Sequence, residues 1–161
     1  MARLEQEVGK LLRQQGLTLA VVESATGGLI SHRITNVPGS SDYYRGSVTA
    51  YSNEVKIQTI GVAQETIERY GAVSHQVAEE MADCGRRLLA TDICLADTGI
   101  AGPTGETPGK PVGLFYIGLS HHDGTLSRQY IFPGNRLQNK RQAAEAALKW
   151  LKEYLKNQKS Q

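Results

Sequence analysis

The sequence has little of what marks secreted or membrane-spanning proteins. Its 161 residues include only two cysteines, Cys84 and Cys94, and their apolar neighbours are typical of small core residues rather than of a disulfide framework. No apolar run approaches the roughly 18–20 residues that a membrane-spanning helix needs. The opening residues, MARLEQEVGKLL, lack the apolar centre of a secretory signal. We therefore expect a cytoplasmic protein that does not enter a membrane.

The sequence also has almost no excess of charge of either sign. Its 18 Lys and Arg residues against 16 Asp and Glu residues give a net charge of +2, so no basic surplus indicates a nucleic-acid partner. The sequence contains no HExxH, no CxxC and no EF-hand carboxylate pattern. We therefore expect neither a metal ion nor another cofactor.

Histidine, the usual activator of a nucleophilic serine, is scarce as well. Of the four histidines, His32, His75, His121 and His122, only His122 precedes a carboxylate, that of Asp123. This pair lies in a predicted turn that faces solvent. The sequence therefore disfavours a Ser-His-Asp triad, in which a buried carboxylate must orient the histidine.

What the sequence does contain is a regular succession of amphipathic helices and apolar or β-branched strands. Predicted helices cover 4–15, 26–35, 54–60, 63–70, 75–89 and 136–155. Predicted strands cover 17–22, 46–52, 93–97, 112–120 and 126–132. Asp123 and Gly124 predict a hairpin turn between the last two strands, which makes the sheet mixed. The order predicts one α/β domain over 1–161, a three-layer α/β/α sandwich whose final residues, 156–161, fray.

One stretch, residues 17–29 (LTLAVVESATGGL), joins a strand to a helix through small polar residues and paired glycines. Such junctions lie at the edge of an α/β sheet where ligands bind. The first backbone N–H groups of the helix, at Thr26, Gly27 and Gly28, would attract a phosphate or a developing oxyanion. Ser24 would then lie at the mouth of a pocket. On this stretch alone, an ordinary turn with a Ser or Thr helix cap is an equally good interpretation.

Two further polar stretches follow predicted strands, at 51–56 and 98–103. If the three strands run parallel, all three stretches open onto one sheet edge. The loop from Gly99 through Ala101 and Gly102 offers unobstructed backbone N–H groups to an anion, and Thr98 adds a hydroxyl. Three cations are candidate phosphate partners, although each also suits an ordinary surface position: Lys110, Arg136 and Arg141.

Lys56 is a better candidate than any histidine for the base that activates Ser24. It follows Asn53, the predicted N-cap of a short helix, at the end of a predicted strand. The helix dipole and partial burial both lower a lysine pKa toward the neutral amine that a general base needs. Tyr51 would relay the proton or orient the amine. The spacing of Tyr51 and Lys56 is not diagnostic, and alone it favours a surface lysine beside an interior aromatic residue.

Six motifs occur in an order that resembles the CinA C-terminal-domain family. They are ESATGG at 23–28, VPGSS at 37–41, AYSNEVK at 50–56, GAVS at 71–74, TGIAGP at 98–103 and KPVG at 110–113. The resemblance covers about 5–155. It implies hydrolysis of the carboxamide of nicotinamide mononucleotide to nicotinic acid mononucleotide and ammonia, as in the characterised nicotinamide-nucleotide amidohydrolases. It also implies a homodimer or higher homo-oligomer.

The resemblance further assigns Ser24 as the nucleophile and Lys56 and Tyr51 as its helpers. The candidate substrate-binding residues are those named above at the three junctions and the three cations: Thr26, Gly27, Gly28, Asn53, Thr98, Gly99, Ala101, Gly102, Lys110, Arg136 and Arg141.

The sequence departs from the family pattern beside these residues. Ala25 replaces a common cysteine, Asp97 replaces a usually uncharged residue, Glu106 interrupts a glycine-rich loop, and Asn135 replaces a common aspartate. A negative charge at Glu106 would weaken anion binding if it pointed inward. Asp97 and Glu106 therefore favour an alternative function, a non-catalytic nucleotide-binding or regulatory module that keeps the family pocket.

Overall fold

The computed structural model describes residues 3–158, in which five strands form one mixed sheet. In chain order the strands are β1 (Leu19–Glu23), β2 (Tyr44–Thr49), β3 (Ile93–Gly99), β4 (Leu114–His121) and β5 (Gly124–Ile131). Their order across the sheet is β2-β1-β3-β4-β5. β1 runs parallel to β2 and β3, whereas β4 is antiparallel to both β3 and β5. The three parallel strands therefore end at the same sheet edge, which is the condition under which the three polar stretches were expected to meet.

Helices cover both faces of this sheet, which confirms the predicted three-layer α/β/α architecture. They are α1 (Leu4–Gln15), α2 (Leu29–Thr35), α3 (Asn53–Val55), a π-helical turn (Lys56–Ile60), α4 (Gln64–Tyr70), α5 (His75–Leu88) and α6 (Arg136–Gln158). A single 3₁₀ turn, Ser40–Asp42, precedes β2.

The alternation of side chains along β1 explains why the sheet has a core on each face. Leu19 and Val21 face a cluster formed with α1, α2 and α6. Ala20 and Val22 face a second cluster, formed with α5 and the segment between β2 and α5. β1 is buried along its whole length, so the polar groups at its end lie inside the protein rather than on its surface.

Several predicted boundaries are wrong, and local backbone geometry gives the reasons. α2 begins at Leu29 rather than at residue 26, because Gly27 and Gly28 adopt positive φ angles of 60° and 100° that are not helical. Ser52, and not Asn53, caps α3 through its hydroxyl, which accepts the Val55 N–H.

Two boundaries near the end of the chain also differ from the prediction. β5 begins at Gly124, so the hairpin turn consists of His122 and Asp123. α6 continues to Gln158, so residues 156–158, which were expected to belong to a frayed tail, are helical. The remaining residues of the predicted frayed tail, 159–161, lie outside the described part of the chain.

The close packing of α5 against β4 depends on the absence of a side chain at Gly118. A Cβ atom at Gly118 would lie 2.4 Å from the carbonyl oxygen of Ala78 and 3.1 Å from the Ala82 Cβ. Because both obstacles belong to the helix, Gly118→Ala must push α5 away from the sheet. We expect a loss of about 1–3 kcal/mol in the free energy of unfolding, measured by urea denaturation at pH 7. A variant within 0.5 kcal/mol of the parent, with an unchanged m-value, would show that α5 does not resist displacement.

Candidate active site

The three polar stretches meet around one cavity of about 310 Å³ at the carboxyl end of the parallel strands. Ser24 and Ala25 come from the junction after β1, and Tyr51, Asn53 and Lys56 come from the junction after β2. The segment from β3 onward supplies Thr98, Gly99, Ile100, Ala101, Gly102, Thr104 and Gly105, and the remaining lining residues are Ala72, Val73 and Arg136. A cavity of this size is at the lower end of the range for small-molecule sites.

Ser24 and Lys56 form a close pair in the floor of this cavity. The Lys56 Nζ lies 3.0 Å from the Ser24 Oγ and donates to the Tyr51 carbonyl oxygen, also at 3.0 Å. Only 2% of Lys56 and 7% of Ser24 is exposed. Burial lowers the pKa of Lys56, and the negative charge of Asp97 opposes this change. A neutral Lys56 can donate one N–H to Tyr51 while its lone pair accepts the Ser24 hydroxyl proton.

Tyr51 approaches this pair through its backbone and not through its phenol. Its side chain is 62% exposed, and its hydroxyl accepts a hydrogen bond of 3.2 Å from the Arg136 Nη2. Arg136 also donates to the Gly102 carbonyl oxygen at 2.9 Å. The Tyr51 hydroxyl and Arg136 therefore mark the mouth of the cavity, whereas the Tyr51 carbonyl orients the lysine amine.

A buried carboxylate, Asp97, holds the turn that carries Ser24. It accepts hydrogen bonds from the Ser24 N–H at 3.0 Å, the Thr26 N–H at 3.1 Å and the Thr26 hydroxyl at 2.5 Å. The residue is completely buried, and burial raises the pKa of its carboxyl to about 6 despite these donors. The sequence analysis noted Asp97 only as a departure from the family, although an aspartate within an apolar strand (ICLAD) already indicates a buried polar role.

A second buried carboxylate, the side chain of Glu23 at the end of β1, lies at the N-terminus of α2. Its side chain accepts from the N–H groups of Ile30 and Ser31 at 2.8 and 3.0 Å, and its Oε1 lies 2.6 Å from the oxygen of the Thr26 hydroxyl. The protein's own carboxylate therefore takes the place at which the sequence analysis expected a phosphate or an oxyanion.

The remaining donors of the predicted 26–28 anion site are also mostly in use. The Thr26 N–H binds Asp97, and the Gly27 N–H binds the Ser24 carbonyl oxygen. Thr26, Gly27 and Gly28 line a different cavity, of about 360 Å³, together with Arg141 and four other residues. The structure thus separates these four candidates from Ser24 and Lys56, whereas Ala25, which the sequence analysis did not select, lies beside the pair.

The other predicted substrate-binding residues divide into two groups. Asn53, Gly99, Ala101, Gly102 and Arg136 line the cavity, as does Thr98, although the Thr98 hydroxyl donates to the Ala72 carbonyl oxygen. Lys110 does not line it, since its amine donates to the Tyr70 carbonyl oxygen. Glu106 is exposed and also lies outside the lining.

No histidine lines the cavity. Within residues 3–158, one group of side chains has the composition of a metal site, His121, His122 and Asp123, whose donor atoms lie within 4.8 Å of one another. This group is in the β4–β5 turn, and two of its three residues are exposed. None of the helices in the described part of the chain is both long and apolar enough to span a membrane.

The fold and the cavity together define a three-layer α/β/α domain with a buried Ser–Lys pair at the sheet edge. The family model of the CinA C-terminal domain matches residues 1–155, and the chain belongs to this family. The sequence resemblance is thereby confirmed.

Named relatives and solved structures agree with this membership. A Halothermothrix orenii protein, provisionally named as a competence-damage inducible protein, is 51% identical over 154 residues, which are 95% of this chain and 37% of that protein. A CinA-like protein of a Sulfurihydrogenibium species is 46% identical over 152 residues, 94% of this chain and 38% of that protein. The chain thus spans less than two fifths of these relatives.

Among solved structures, the competence or damage-inducible protein of Enterobacter asburiae has a TM-score of 0.92 and 31% identity, and the match covers 94% of this chain and 96% of that chain. The competence damage-inducible protein A of Klebsiella pneumoniae has a TM-score of 0.92 and 30% identity, with 94% of each chain covered.

Proposed function

We propose that this domain hydrolyses the carboxamide of nicotinamide mononucleotide to nicotinic acid mononucleotide and ammonia. The observation that carries the proposal is the contact of 3.0 Å between the Lys56 Nζ and the Ser24 Oγ in the floor of a cavity. A serine hydroxyl is a weak nucleophile without an adjacent base, and a buried lysine with a lowered pKa supplies one. The family resemblance supplies the substrate.

In the proposed mechanism, neutral Lys56 takes the hydroxyl proton as the Ser24 Oγ attacks the amide carbon. The tetrahedral intermediate collapses when the Lys56 ammonium returns that proton to the leaving nitrogen, which departs as ammonia. A water molecule, deprotonated by Lys56, then attacks the acyl-enzyme ester. The carboxylic acid product leaves and Ser24 regains its proton.

The Ala25 N–H is the leading candidate for stabilising the oxyanion. Ala25 immediately follows the nucleophile and lines the cavity. The N–H groups on either side of it, those of Ser24 and Thr26, both bind Asp97, while no hydrogen bond within residues 3–158 uses the Ala25 N–H. The residue after the nucleophile has the same role in other serine hydrolases. A backbone N–H from the 99–102 loop would be the second donor.

Arg136 is the candidate for binding the phosphate of the substrate. It lies at the mouth of the cavity, and its two partners, the Gly102 carbonyl and the Tyr51 hydroxyl, are both neutral. Its positive charge therefore remains uncompensated there, and a guanidinium binds phosphate with two parallel hydrogen bonds. Lys110 and Arg141 do not line this cavity: the Lys110 amine donates to the Tyr70 carbonyl oxygen, and Arg141 lines a different cavity.

The proposal is tested by incubating the protein with nicotinamide mononucleotide and measuring ammonia and nicotinic acid mononucleotide together. Nicotinamide riboside, which lacks the phosphate, and free nicotinamide serve as comparison substrates. We expect equal amounts of both products from the mononucleotide and a much lower kcat/KM for the other two.

Two results would contradict the proposal in different ways. A thermal shift with the mononucleotide but no turnover would select the non-catalytic binding module. Turnover of a non-nucleotide amide alone would select another amidase with the same Ser–Lys chemistry.

Asp97 and Glu106, which favoured the module in the sequence, do not face the cavity. Self-association remains a prediction, to be measured by light scattering.

A further inference from the structure

We propose that Asp97 is a positioning residue that fixes the Ser24 turn and controls the charge of Lys56. The catalytic meaning of this role rests on the proposed function above. The role itself concerns the reactivity of Ser24, which can be measured without the natural substrate. Asp97 does not itself line the cavity, and it reaches the Ser–Lys pair through a hydrogen bond from the Ser24 N–H, so it acts through other residues.

The Asp97 side chain ties the Ser24 turn to β3. One carboxylate accepts two backbone N–H groups, from Ser24 and Thr26, and the Thr26 hydroxyl. These bonds join the end of β1 to β3 and clamp the chain on both sides of Ala25. The Ser24 side chain and the Ala25 N–H are therefore held in place before a substrate arrives, and preorganised donors are the effective ones in catalysis.

The Thr26 hydroxyl makes two short contacts with carboxylates but has only one proton. The Thr26 hydroxyl lies 2.6 Å from the Glu23 Oε1 and 2.5 Å from the Asp97 Oδ1. A hydroxyl has one proton and can donate to one of these oxygens only. The other short contact needs a second proton, which Asp97 can hold, because burial raises the pKa of its carboxyl to about 6. Glu23 and Asp97 each accept from two backbone N–H groups, so it is the raised pKa of Asp97, and not the number of its donors, that assigns the proton to Asp97.

Asp97 also acts on Lys56, the proposed base, through its charge. Two ionisable groups interact with Asp97 through their charges: Glu23, from β1, raises the pKa of Asp97, and Asp97 raises the pKa of Lys56, from the π-helical turn. When Asp97 is ionised, its charge raises the pKa of Lys56 and opposes the effect of burial. When Asp97 is neutral, burial acts alone and favours the neutral amine. The ionisation of Asp97 thus sets the pH at which Lys56 becomes an effective base.

The experiment uses a fluorophosphonate probe on the full chain, with mass spectrometry to locate and count the adduct. In this reaction the Ser24 Oγ–P bond forms, fluoride leaves and the serine proton passes to Lys56. The rate of labelling is measured from pH 5 to 10 for the parent and for Asp97→Asn. We expect the acid limb of the rate profile to move to lower pH by about one unit or more in the variant, with a lower maximum rate because the Thr26 N–H loses its acceptor.

Thr26→Val is the second variant, in case Asp97→Asn does not fold. The Thr26 hydroxyl lowers the pKa of Asp97, so its removal leaves Asp97 neutral to higher pH. We expect the acid limb to move in the same direction, by a smaller amount.

Matched controls are available at the opposite end of the sheet. Asp92 accepts from the Thr18 N–H and hydroxyl there, so Asp92→Asn and Thr18→Val remove similar bonds far from Ser24. Neither control should shift the profile.

The outcomes separate this proposal from the proposed function. A lower rate with an unmoved acid limb in both variants would make Asp97 a purely structural residue and overturn the proposal. A shifted limb supports it, even if the parent protein labels at Ser24 and releases no ammonia from nicotinamide mononucleotide. That last result would contradict the proposed function alone.

Discussion

Ser24→Ala is expected to lower the kcat for nicotinamide mononucleotide by a factor on the order of 10⁴ or more. The hydroxyl is the group of the pair that forms a hydrolysable acyl-enzyme ester, and the hydrogen bonds of Lys56 lead to no other hydroxyl in the described residues. Binding should survive, because Ser24 is one of fifteen residues that line the cavity. Ammonia release measures the first effect, and a thermal shift with the mononucleotide measures the second.

A serine on the far edge of the sheet gives a matched control for this substitution. Ser127 lies on β5 and binds His75 and Glu79 rather than any residue of the cavity. Ser127→Ala should retain the parent kcat. If Ser24→Ala kept more than a tenth of the activity, the nucleophile would have to be another residue.

Lys56→Met is expected to lower kcat/KM by about 10²–10⁴, the usual contribution of a general base. Methionine keeps an unbranched side chain of similar length but has no group that can take the Ser24 proton. In the parent, activity should fall as the pH drops, because protonation of Lys56 removes the base. Since burial lowers the pKa of Lys56, that fall should begin below the ordinary lysine range.

Lys140→Met is the control for Lys56→Met, because Lys140 lines the neighbouring cavity and does not touch Ser24. Its pH profile should match that of the parent. An unchanged profile in Lys56→Met would exclude the lysine as the base, whereas a residual rate that no longer depends on pH in this range would support the assignment.

The architecture was predictable because its signals are local. The β1 run is apolar on both faces, the glycines at 16, 61 and 71 end helices, and the hairpin contains Asp123 and Gly124. Each of these depends on residues within one or two turns of each other. The start of α2 was misplaced because the helical pattern of apolar residues cannot show that Gly27 and Gly28 have positive φ angles.

The candidate site was predictable only in part, because its contacts join distant segments. The proximity of Ser24 and Lys56 follows from three parallel strands that end at one edge, and the sequence supports that inference. The partners of Thr26 do not follow from it, since Asp97 is 71 residues away along the chain. Likewise, no local pattern shows that Glu23 folds back onto α2, or that Tyr51 presents its carbonyl to Lys56 and its hydroxyl to Arg136.

The burial of Asp97 makes folding itself a reaction that consumes a proton. The pKa of its carboxyl rises from the ordinary 3.8 to about 6 in the folded protein, so between these two values the native state binds a proton that the unfolded chain does not. The stability from this group is complete below pH 4 and is lost as the pH rises through 6, on the order of 3 kcal/mol in total. At neutral pH the Asp97 carboxylate that holds the Ser24 turn is therefore charged, and the burial of this charge lowers the free energy of unfolding by a measurable amount.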